Sequence, residues 1–230
     1  MSPTRPPVVG VLLAAGAGRR LGRGPKALLS LDGTSQVVRM TRALLRGGCD
    51  AVVVVVGAAG EEVRLLLERS LAGTAEGRRV RIVVNPDWES GMGSSFRTGI
   101  DAADRLLAPS GPSAGSIVVA LVDQPDVDEA VVRCLLDSAT STPVGPRVIA
   151  AGYPEARGRL VRGHPLVFPR TWAREAATLA AGDAAGRVWL RKHPEAVDVV
   201  DVGHLATGRD VDTPQDLDRL RRGTEADVRA

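Results

Sequence analysis

The loop that follows the first apolar segment combines glycines with basic side chains, a combination that suits phosphate binding. Residues 8–14 are apolar, and residues 15–26 then read AGAGRRLGRGPK. Glycines let backbone N–H groups approach phosphate oxygens, and Arg19, Arg20 and Lys26 would add positive charge at several points along a chain of phosphates. The residue types in this loop therefore predict a site for a triphosphate.

The spacing of this loop excludes the two commonest phosphate-binding motifs. The dinucleotide motif requires G-x-G-x-x-G before a helix, whereas three residues separate Gly18 from Gly22 here. The P-loop requires Ser or Thr directly after its lysine, whereas Ala27 follows Lys26. We therefore expect a different type of nucleotide site, with a purely structural glycine turn as the alternative.

Three later segments place polar side chains where apolar segments end. Ser94 and Ser95 stand at the start of a predicted helix, where they would either bind an anion or a base edge or simply cap the helix. Asp123 directly follows an apolar segment, either as a turn-forming residue or as a ligand. Asp210 and Asp212 precede the sequence TPQD, which predicts a helix N-terminus but does not account for the two carboxylates before it.

The periodicity of the chain predicts a framework that would bring these segment ends together. Short apolar segments alternate four times with segments of helical periodicity, which is typical of a parallel sheet with helices on both faces. Ligands of such sheets bind beyond the carboxyl ends of the strands, and segments 15–26, 85–95 and 123–126 follow the first, third and fourth strands. The predicted strands are 8–14, 51–56, 79–84 and 116–122, and the predicted helices are 35–47, 61–71, 92–107 and 128–139.

The pattern after residue 142 is less regular. We expect a single domain over 8–222, with a nucleotide-binding half at 8–140, an acceptor-binding half at 141–222 and a disordered tail at 223–230. Short strands are predicted at 148–151, 159–161, 166–168 and 196–202, with helices at 172–180, 184–191 and 214–222.

The composition favours an enzyme-sized globular domain over other classes of protein. Of 230 residues, 44% are hydrophobic, and acidic and basic residues are interleaved with a net charge of +3. A basic stripe with aromatic residues, as in nucleic-acid-binding proteins, is absent from the sequence. Neither a signal-peptide pattern nor an apolar run of the ~18 residues needed for a membrane span is found. Cys49 and Cys134 are expected to be reduced thiols, and we expect a cytoplasmic protein without nucleic-acid or membrane partners.

The motifs resemble those of the MobA-like NTP transferase family, in particular its molybdenum cofactor cytidylyltransferases. The resemblance extends from Val8 to about Leu220, and its motifs are LAAGAGRRLGRGPK, NPDWESGMGSS, DQP and DVDTPQDL. It implies a Rossmann-like three-layer α/β/α nucleotidyltransferase fold of the GT-A type, with a mostly parallel sheet and a small acceptor-binding β lobe.

The resemblance also implies roles for individual residues. Arg20, Lys26 and Asp123 are implied to be catalytic, and Asp123 is implied to bind Mg²⁺ together with Asp212, with Asp210 as the weaker candidate. Contacts to the nucleotide are implied for Leu13, Ala14, Ala15, Gly16, Gly18, Arg19, Ser94 and Ser95. Contacts to the acceptor are implied for His164, Gly182, Asp183 and Arg187.

The implied reaction is an in-line attack by an acceptor phosphate on the α-phosphorus of an NTP, with release of pyrophosphate. This chemistry depends on charge stabilisation and alignment, and no catalytic base is expected because a phosphate nucleophile is already ionised. Ala15 and the DQP sequence favour CTP, because guanylyl-transferring relatives typically read LAGG in the first loop. The expected acceptor is a molybdopterin-type cofactor, and a molybdoenzyme or its chaperone is a candidate partner.

Two alternatives remain open from the sequence. One is a related enzyme that transfers GMP or another nucleotide to a different phosphorylated acceptor. The other is a non-catalytic protein that binds the nucleotide form of the cofactor and delivers it to a molybdoenzyme.

Overall fold

The structure, a computed structural model, describes residues 5–19, 22, 24–141, 145–155, 158–213 and 215–216. Arg20, most of the helix predicted at 214–222 and the tail predicted at 223–230 lie outside the described residues.

The described residues form nine strands and six α-helices. Through α4, the predicted elements agree with the structure to within two residues at each end. The strands are β1 (Val8–Ala14), β2 (Ser30–Leu31), β3 (Thr34–Ser35), β4 (Ala51–Val56), β5 (Val80–Val84), β6 (Ser116–Leu121), β7 (Val148–Pro154), β8 (Leu160–Pro169) and β9 (Val197–Asp201). The helices are α1 (Gln36–Gly47), α2 (Gly60–Leu71), α3 (Met92–Leu107), α4 (Glu129–Ser141), α5 (Arg170–Leu179) and α6 (Arg187–Lys192).

A seven-stranded, mostly parallel sheet lies at the centre of the molecule, in the order β5-β4-β1-β6-β8-β7-β9. β1 pairs in parallel with β4 and β6, and β4 pairs in parallel with β5. β8 runs antiparallel to both of its neighbours, β6 and β7, whereas β7 and β9 are parallel. The predicted parallel α/β architecture is therefore confirmed. The two-residue strands β2 and β3 form a separate hairpin, which is too short to leave a periodic signal in the sequence.

Helices cover both faces of this sheet, because alternate residues of each strand point to opposite sides. In β1, Leu12 and Ala14 join a core with residues of α1, α2 and α4, whereas Val11 and Leu13 join a second core with residues of α3, α5 and α6. The five valines of β4 are fully buried, as expected of a strand that is covered on both faces. The result is the three-layer arrangement of helices, sheet and helices.

The second half of the chain continues the sheet of the first half. The separate strands predicted at 159–161 and 166–168 are wrong, since both belong to the single ten-residue strand β8. The sequence Gly163-His164-Pro165 predicts a break between two strands, but β8 continues through these residues. Its pairing with β7 shifts register between Ala150 and Ala151, so that a local irregularity accommodates the interruption.

The helix predicted at 184–191 begins later than expected. A 3₁₀ turn occupies Gly182–Ala184, and α6 starts at Arg187. Ala185, the first of the two residues between them, has a φ of 38°, which a continuing α-helix does not allow. Among the described residues, no helix has the length and apolar character needed to cross a membrane.

Candidate active site

A cleft of about 620 Å³ lies beyond the carboxyl ends of β1, β5 and β6. A ligand is expected at this edge, because loops that follow neighbouring parallel strands meet there. Five segments that are distant in the chain contribute to the cleft. Its lining residues are Leu13, Ala15, Gly16, Ala17, Gly18, Arg19, Lys26, Trp88, Glu89, Gly91, Met92, Ser95, Leu121, Val122, Asp123, Asp183 and Asp212.

The glycine-rich loop folds back on itself at one side of the cleft. Gly18 has a φ of 64°, and a Cβ atom there would overlap the carbonyl oxygen of Gly24. Only glycine permits both this backbone conformation and this close approach. The loop is also attached to the segment after β4, because the N–H of Ala58 donates to the carbonyl oxygen of Ala15 at 3.1 Å.

Lys26 forms the electrostatic centre of the cleft together with two carboxylates. Its Nζ donates hydrogen bonds to Asp123 Oδ2 at 2.8 Å and to Asp212 Oδ1 at 2.5 Å. The side chains of Lys26 and Asp123 are only 15% and 20% exposed. Burial by itself would lower the pKa of Lys26, but the hydrogen bonds and charges of the two aspartates outweigh it and raise that pKa. Lys26 is therefore a fixed positive charge between two acids.

Backbone hydrogen bonds bring Asp212 to the end of β6, although the two aspartates are far apart in the chain. The N–H of Val211 donates to the carbonyl oxygen of Asp123 at 2.9 Å. The side-chain amide of the buried Gln124 donates to the carbonyl oxygen of Gly208 at 3.0 Å. The loop before Asp212 is thus attached to the strand end that carries Asp123.

The predicted helix start after Asp212 is present in the described residues. The carboxylate of Asp216 accepts hydrogen bonds from the N–H of Thr213 at 2.8 Å and from its hydroxyl at 2.7 Å. It also accepts one from the N–H of Asp212 at 3.2 Å. This pattern is close to a capping box, in which a side chain one turn into the helix satisfies the first backbone donors, and it fixes the backbone that carries Asp212.

Asp210 belongs to the same acidic group. The residue as a whole is exposed to solvent, but neighbouring groups partly desolvate its carboxyl. This desolvation and the charges of Asp123 and Asp212 raise the pKa of Asp210 to about 6, against the opposing effects of Gln124 and Lys26. Asp210 therefore loses its proton at a higher pH than an ordinary aspartate does.

Asp123 and Asp212 fit a divalent cation. Their nearest oxygens contact the same Nζ, so they can be no farther apart than the sum of 2.8 and 2.5 Å. Mg²⁺ is usually held by one or two carboxylates, with waters and substrate phosphates completing its shell. No cluster of three or more acidic, His or Cys ligands occurs within the described part of the chain, which is consistent with a cation shared with substrate rather than a cage made of protein ligands alone.

The two serines at the start of α3 differ in position. Ser94 is buried, and its hydroxyl donates to the backbone of Asp87 and Gly91, so it holds the turn that precedes α3. Ser95 lines the cleft. The buried amide of Asn85, at the end of β5, donates to both hydroxyls at 2.8 and 3.0 Å. The capping interpretation is wrong for both serines, because the N-cap of α3 is Gly91 and no side chain caps the helix. Ser94 fixes the preceding turn, whereas Ser95, equally buried, lines the cleft.

Trp88 and Arg19 form one wall at the mouth of the cleft. The guanidinium of Arg19 lies 6.0 Å from the centre of the Trp88 ring and pairs with Glu89 at 3.1 Å. The Arg19 side chain is 78% exposed, so this pair contributes little to stability and leaves the guanidinium free to bind a ligand. Trp88 packs tightly on Gly57, where a Cβ would lie 2.7 Å from its side chain.

A second cavity of about 270 Å³ adjoins the cleft and contains three of the residues expected to contact the acceptor. His164, Asp183 and Arg187 line it, and Asp183 also lines the first cleft. Arg187 is held in place by a hydrogen bond to the carbonyl oxygen of Asp183 at 3.0 Å. Burial lowers the pKa of His164 to about 4, although Asp123 acts in the opposite direction, so the imidazole is neutral at physiological pH. The apolar floor is made by Phe96, Leu166 and Leu190.

The structure brings together most of the residues singled out from the sequence. Ala14 and Ser94 are buried behind the cleft, and Gly182 lies beside it as the residue that Gly91 packs against. Arg20 is outside the described residues. Several lining residues have polar or large side chains to which the sequence motifs assign no role, among them Trp88, Glu89, Met92 and Arg162. The first three belong to the NPDWESGMGSS motif.

Comparison with known proteins agrees with this site. The model of the MobA-like NTP transferase domain matches residues 10–197, which include both cavities except for Asp212. The chain belongs to the MobA-like NTP transferase family. It is accordingly an enzyme of the nucleotidyltransferase class, with the glycine-rich loop and Asp123 at the edge of the sheet where this fold binds its ligands.

The proteins that are similar to this NTP transferase have names that describe different activities. A nicotine blue oxidoreductase from Paenarthrobacter nicotinovorans is 42% identical over 217 residues, which cover 94% of this chain and 97% of the relative. A solved nucleotidyl transferase from Methanothermobacter is 26% identical with a TM-score of 0.71, covering 94% of this chain and 96% of that one. The Mycobacterium tuberculosis protein Rv0371c, solved in complex with manganese, is 28% identical with a TM-score of 0.63, covering 94% and 98%.

Proposed function

We propose that this NTP transferase moves CMP from CTP to the phosphate of a molybdopterin-type cofactor and releases pyrophosphate. The observation that carries the proposal is the convergence of Asp123, Asp212 and Lys26 beside the glycine-rich loop. Two acids and a lysine at the strand end provide what transfer of a phosphoryl-type group requires, namely a cation site and a fixed positive charge.

Each part of the site has a role in this reaction. The loop around Gly18 and Lys26 binds the phosphates, and Asp123 and Asp212 would hold Mg²⁺, which supplies neutralisation of charge on the phosphates. The manganese complex of Rv0371c supports a divalent cation in this family. The protein need not supply a base, because the acceptor phosphate is already ionised, and the neutral His164 is suited to hydrogen bonding rather than to neutralising a phosphate.

The preference for CTP rests on the resemblance of the LAAG and DQP sequences to those of cytidylyl-transferring relatives. Ala15 lines the cleft, and its backbone is fixed by Ala58. A pyrimidine needs less room than a purine, so the methyl group of Ala15 would favour a pyrimidine if the base lies against it. The second cavity, with its apolar floor and polar rim of His164 and Arg187, would receive the ring system of the acceptor.

A pyrophosphate-release assay tests the proposal directly. We expect release with CTP, Mg²⁺ and purified molybdopterin cofactor, and much less release with ATP, GTP or UTP. Asp123→Asn should reduce the rate at least ~100-fold, because the variant loses a charge that acts on the developing transition state. The matched control is Asp137→Asn, since Asp137 is an exposed aspartate on α4. Turnover with GTP alone would contradict the CTP assignment, and turnover only with another phosphorylated acceptor would contradict the cofactor assignment.

The same assay distinguishes a non-catalytic delivery protein. Such a protein would bind the cofactor without releasing pyrophosphate, and Asp123→Asn would leave delivery to a molybdoenzyme intact.

A second candidate function follows from the relative that is 42% identical over nearly its whole length. Its name describes an oxidation or reduction of nicotine blue, a reaction that needs a second compound to accept or donate the electrons. The cleft would then hold the nucleotide part of a nicotinamide dinucleotide, and the second cavity would hold the dye. Loss of absorbance at 340 nm from NADH or NADPH on addition of nicotine blue would support this function, whereas turnover with CTP and no change at 340 nm would exclude it.

A further inference from the structure

Lys26 occupies the space between the two candidate cation ligands. Its Nζ contacts Asp123 Oδ2 at 2.8 Å and Asp212 Oδ1 at 2.5 Å. A divalent cation held by this pair would need one oxygen from each of the same two carboxylates. The ammonium group and the divalent cation would repel each other at this short range, so they compete for the same pair of carboxylates.

The glycine-rich loop gives Lys26 a second set of partners. Lys26 lines the same cleft as Gly16 and Gly18, where the phosphates of a nucleotide would lie. A lysine has three donors on a flexible stem, and two of them are directed at the aspartates in this structure. The side chain must turn away from at least one aspartate to direct most of its donors at phosphate.

We propose that the ammonium group of Lys26 holds the cation position between Asp123 and Asp212 in the free enzyme, and that the divalent cation displaces it towards the nucleotide phosphates. The inference rests on the proposed function, because it takes the two aspartates as cation ligands. Lys26 is in this respect a positioning residue, since it keeps two partly buried carboxylates together that would otherwise repel each other. Displacement also couples the two ligands: the cation releases Lys26 for the phosphates, so each ligand raises the affinity for the other.

Manganese binding in the absence of nucleotide tests the competition. Electron paramagnetic resonance of free Mn²⁺ would give the dissociation constants of the wild type, Lys26→Met, Lys26→Arg and Lys192→Met. We expect Lys26→Met to bind Mn²⁺ at least ~10-fold more tightly than the wild type, because the cation no longer displaces two charge-assisted hydrogen bonds. Lys26→Arg, which keeps a competing positive charge, should stay near the wild type. Lys192→Met, which changes an exposed lysine on α6, should equal it.

The sequence offers a second readout on the unaltered protein, because Lys26 and Lys192 are its only lysines. Labelling lysine with ¹⁵N gives two side-chain ammonium signals in an NMR spectrum. Addition of Mg²⁺ alone should shift the Lys26 signal and leave the Lys192 signal in place. A Lys26 signal that stays unchanged at saturating Mg²⁺ would overturn the proposal, even if Lys26→Met failed to fold.

The outcomes separate this inference from the function on which it rests. Loss of Mn²⁺ binding in both Asp123→Asn and Asp212→Asn, with tighter binding in Lys26→Met, supports both. Loss of binding in the aspartate variants with unchanged or weaker binding in Lys26→Met overturns the displacement alone. Unchanged Mn²⁺ affinity in both aspartate variants overturns the cation site and, with it, both proposals.

Discussion

Replacement of Gly91 by alanine provides a quantitative test of how the two cavities are held together. Gly91 precedes α3 with φ 108° and ψ 173°, a backbone region that is essentially restricted to glycine, and a side chain there costs about 1–3 kcal/mol. The added Cβ would also lie 2.5 Å from the carbonyl group of Gly182 and 2.9 Å from Asp183 Oδ1. Because the first of these contacts is with backbone, the loop itself must move, at a further cost of about 1–3 kcal/mol.

Gly111 is a matched control for the backbone part of this cost. It has φ 105° and ψ 166°, nearly the same conformation as Gly91, but a Cβ there would meet no atom within 4 Å. Gly111→Ala should therefore lose only the conformational part, about 1–3 kcal/mol. The difference in the free energy of unfolding between the two variants therefore measures the contact between the start of α3 and the loop that carries Asp183.

Urea denaturation and steady-state kinetics would measure the two consequences. We expect Gly91→Ala to unfold at a free energy about 1–3 kcal/mol below that of Gly111→Ala, which corresponds to roughly 2–4 °C in melting temperature per kcal/mol for a domain of this size. The activity of folded Gly91→Ala should fall at least ~10-fold, because misplacement of a substrate-binding group by about 1 Å is costly, while Gly111→Ala keeps wild-type activity. Equal stability and equal activity of the two variants would refute the reasoning.

Three further predictions concern buried groups. The pKa of His164 is lowered by burial to about 4, so the unfolded state binds more protons than the native state below pH 6.5. The contribution of His164 to the free energy of unfolding should therefore drop by about 2–3 kcal/mol as the pH falls from 6.5 to 4, whereas Asp210, with its pKa raised to about 6, changes stability in the opposite direction. A denaturation series should show the wild type losing about 2–3 kcal/mol relative to His164→Asn over this range; parallel pH profiles would contradict this. Cys49 is fully buried, and burial raises the pKa of its thiol to about 12. In the Cys134→Ser variant, Cys49 should therefore react with a disulfide reagent only at the rate of unfolding. Rapid labelling of the native protein would contradict this prediction. The Arg170 guanidinium, 4% exposed, donates to Asp104 Oδ1 at 2.6 Å and to the carbonyl oxygens of Asp104 and Leu107 at 3.0 Å. Arg170→Met should lower the free energy of unfolding by about 3 kcal/mol, measured by thermal or urea denaturation. Arg174 is an exposed partner of the same aspartate at 3.8 Å, so Arg174→Met should change that free energy by less than ~0.5 kcal/mol. Comparable losses in the two variants would contradict the role of burial.

Local sequence patterns were sufficient to predict the layered fold of the first half. Runs such as the valines of β4 are too short for a helix and are buried on both faces, and the intervening segments have helical periodicity, so each element could be recognised from residues within one or two turns. The second half was harder to predict. The sequence Gly163-His164-Pro165 indicates a break when it is considered locally, but pairing with β6 on one side and β7 on the other keeps β8 continuous. Strand pairing is a non-local interaction, so it leaves no signal in the neighbouring residues.

Local sequence patterns alone place a glycine-rich basic loop, a serine pair and Asp123 at one edge of a parallel sheet, because the end of each strand is encoded locally and parallel strands share their carboxyl edge. How these groups meet depends on the packed fold. Both serines are buried, but only Ser95 lines the cleft. The Asp212 segment is attached to the end of β6 through Val211 and Gln124, and Lys26 lies between two acids. These arrangements depend on hydrogen bonds between residues that are distant in the chain, and such contacts are fixed by how the packed elements come together rather than by the order of residues within any one of them.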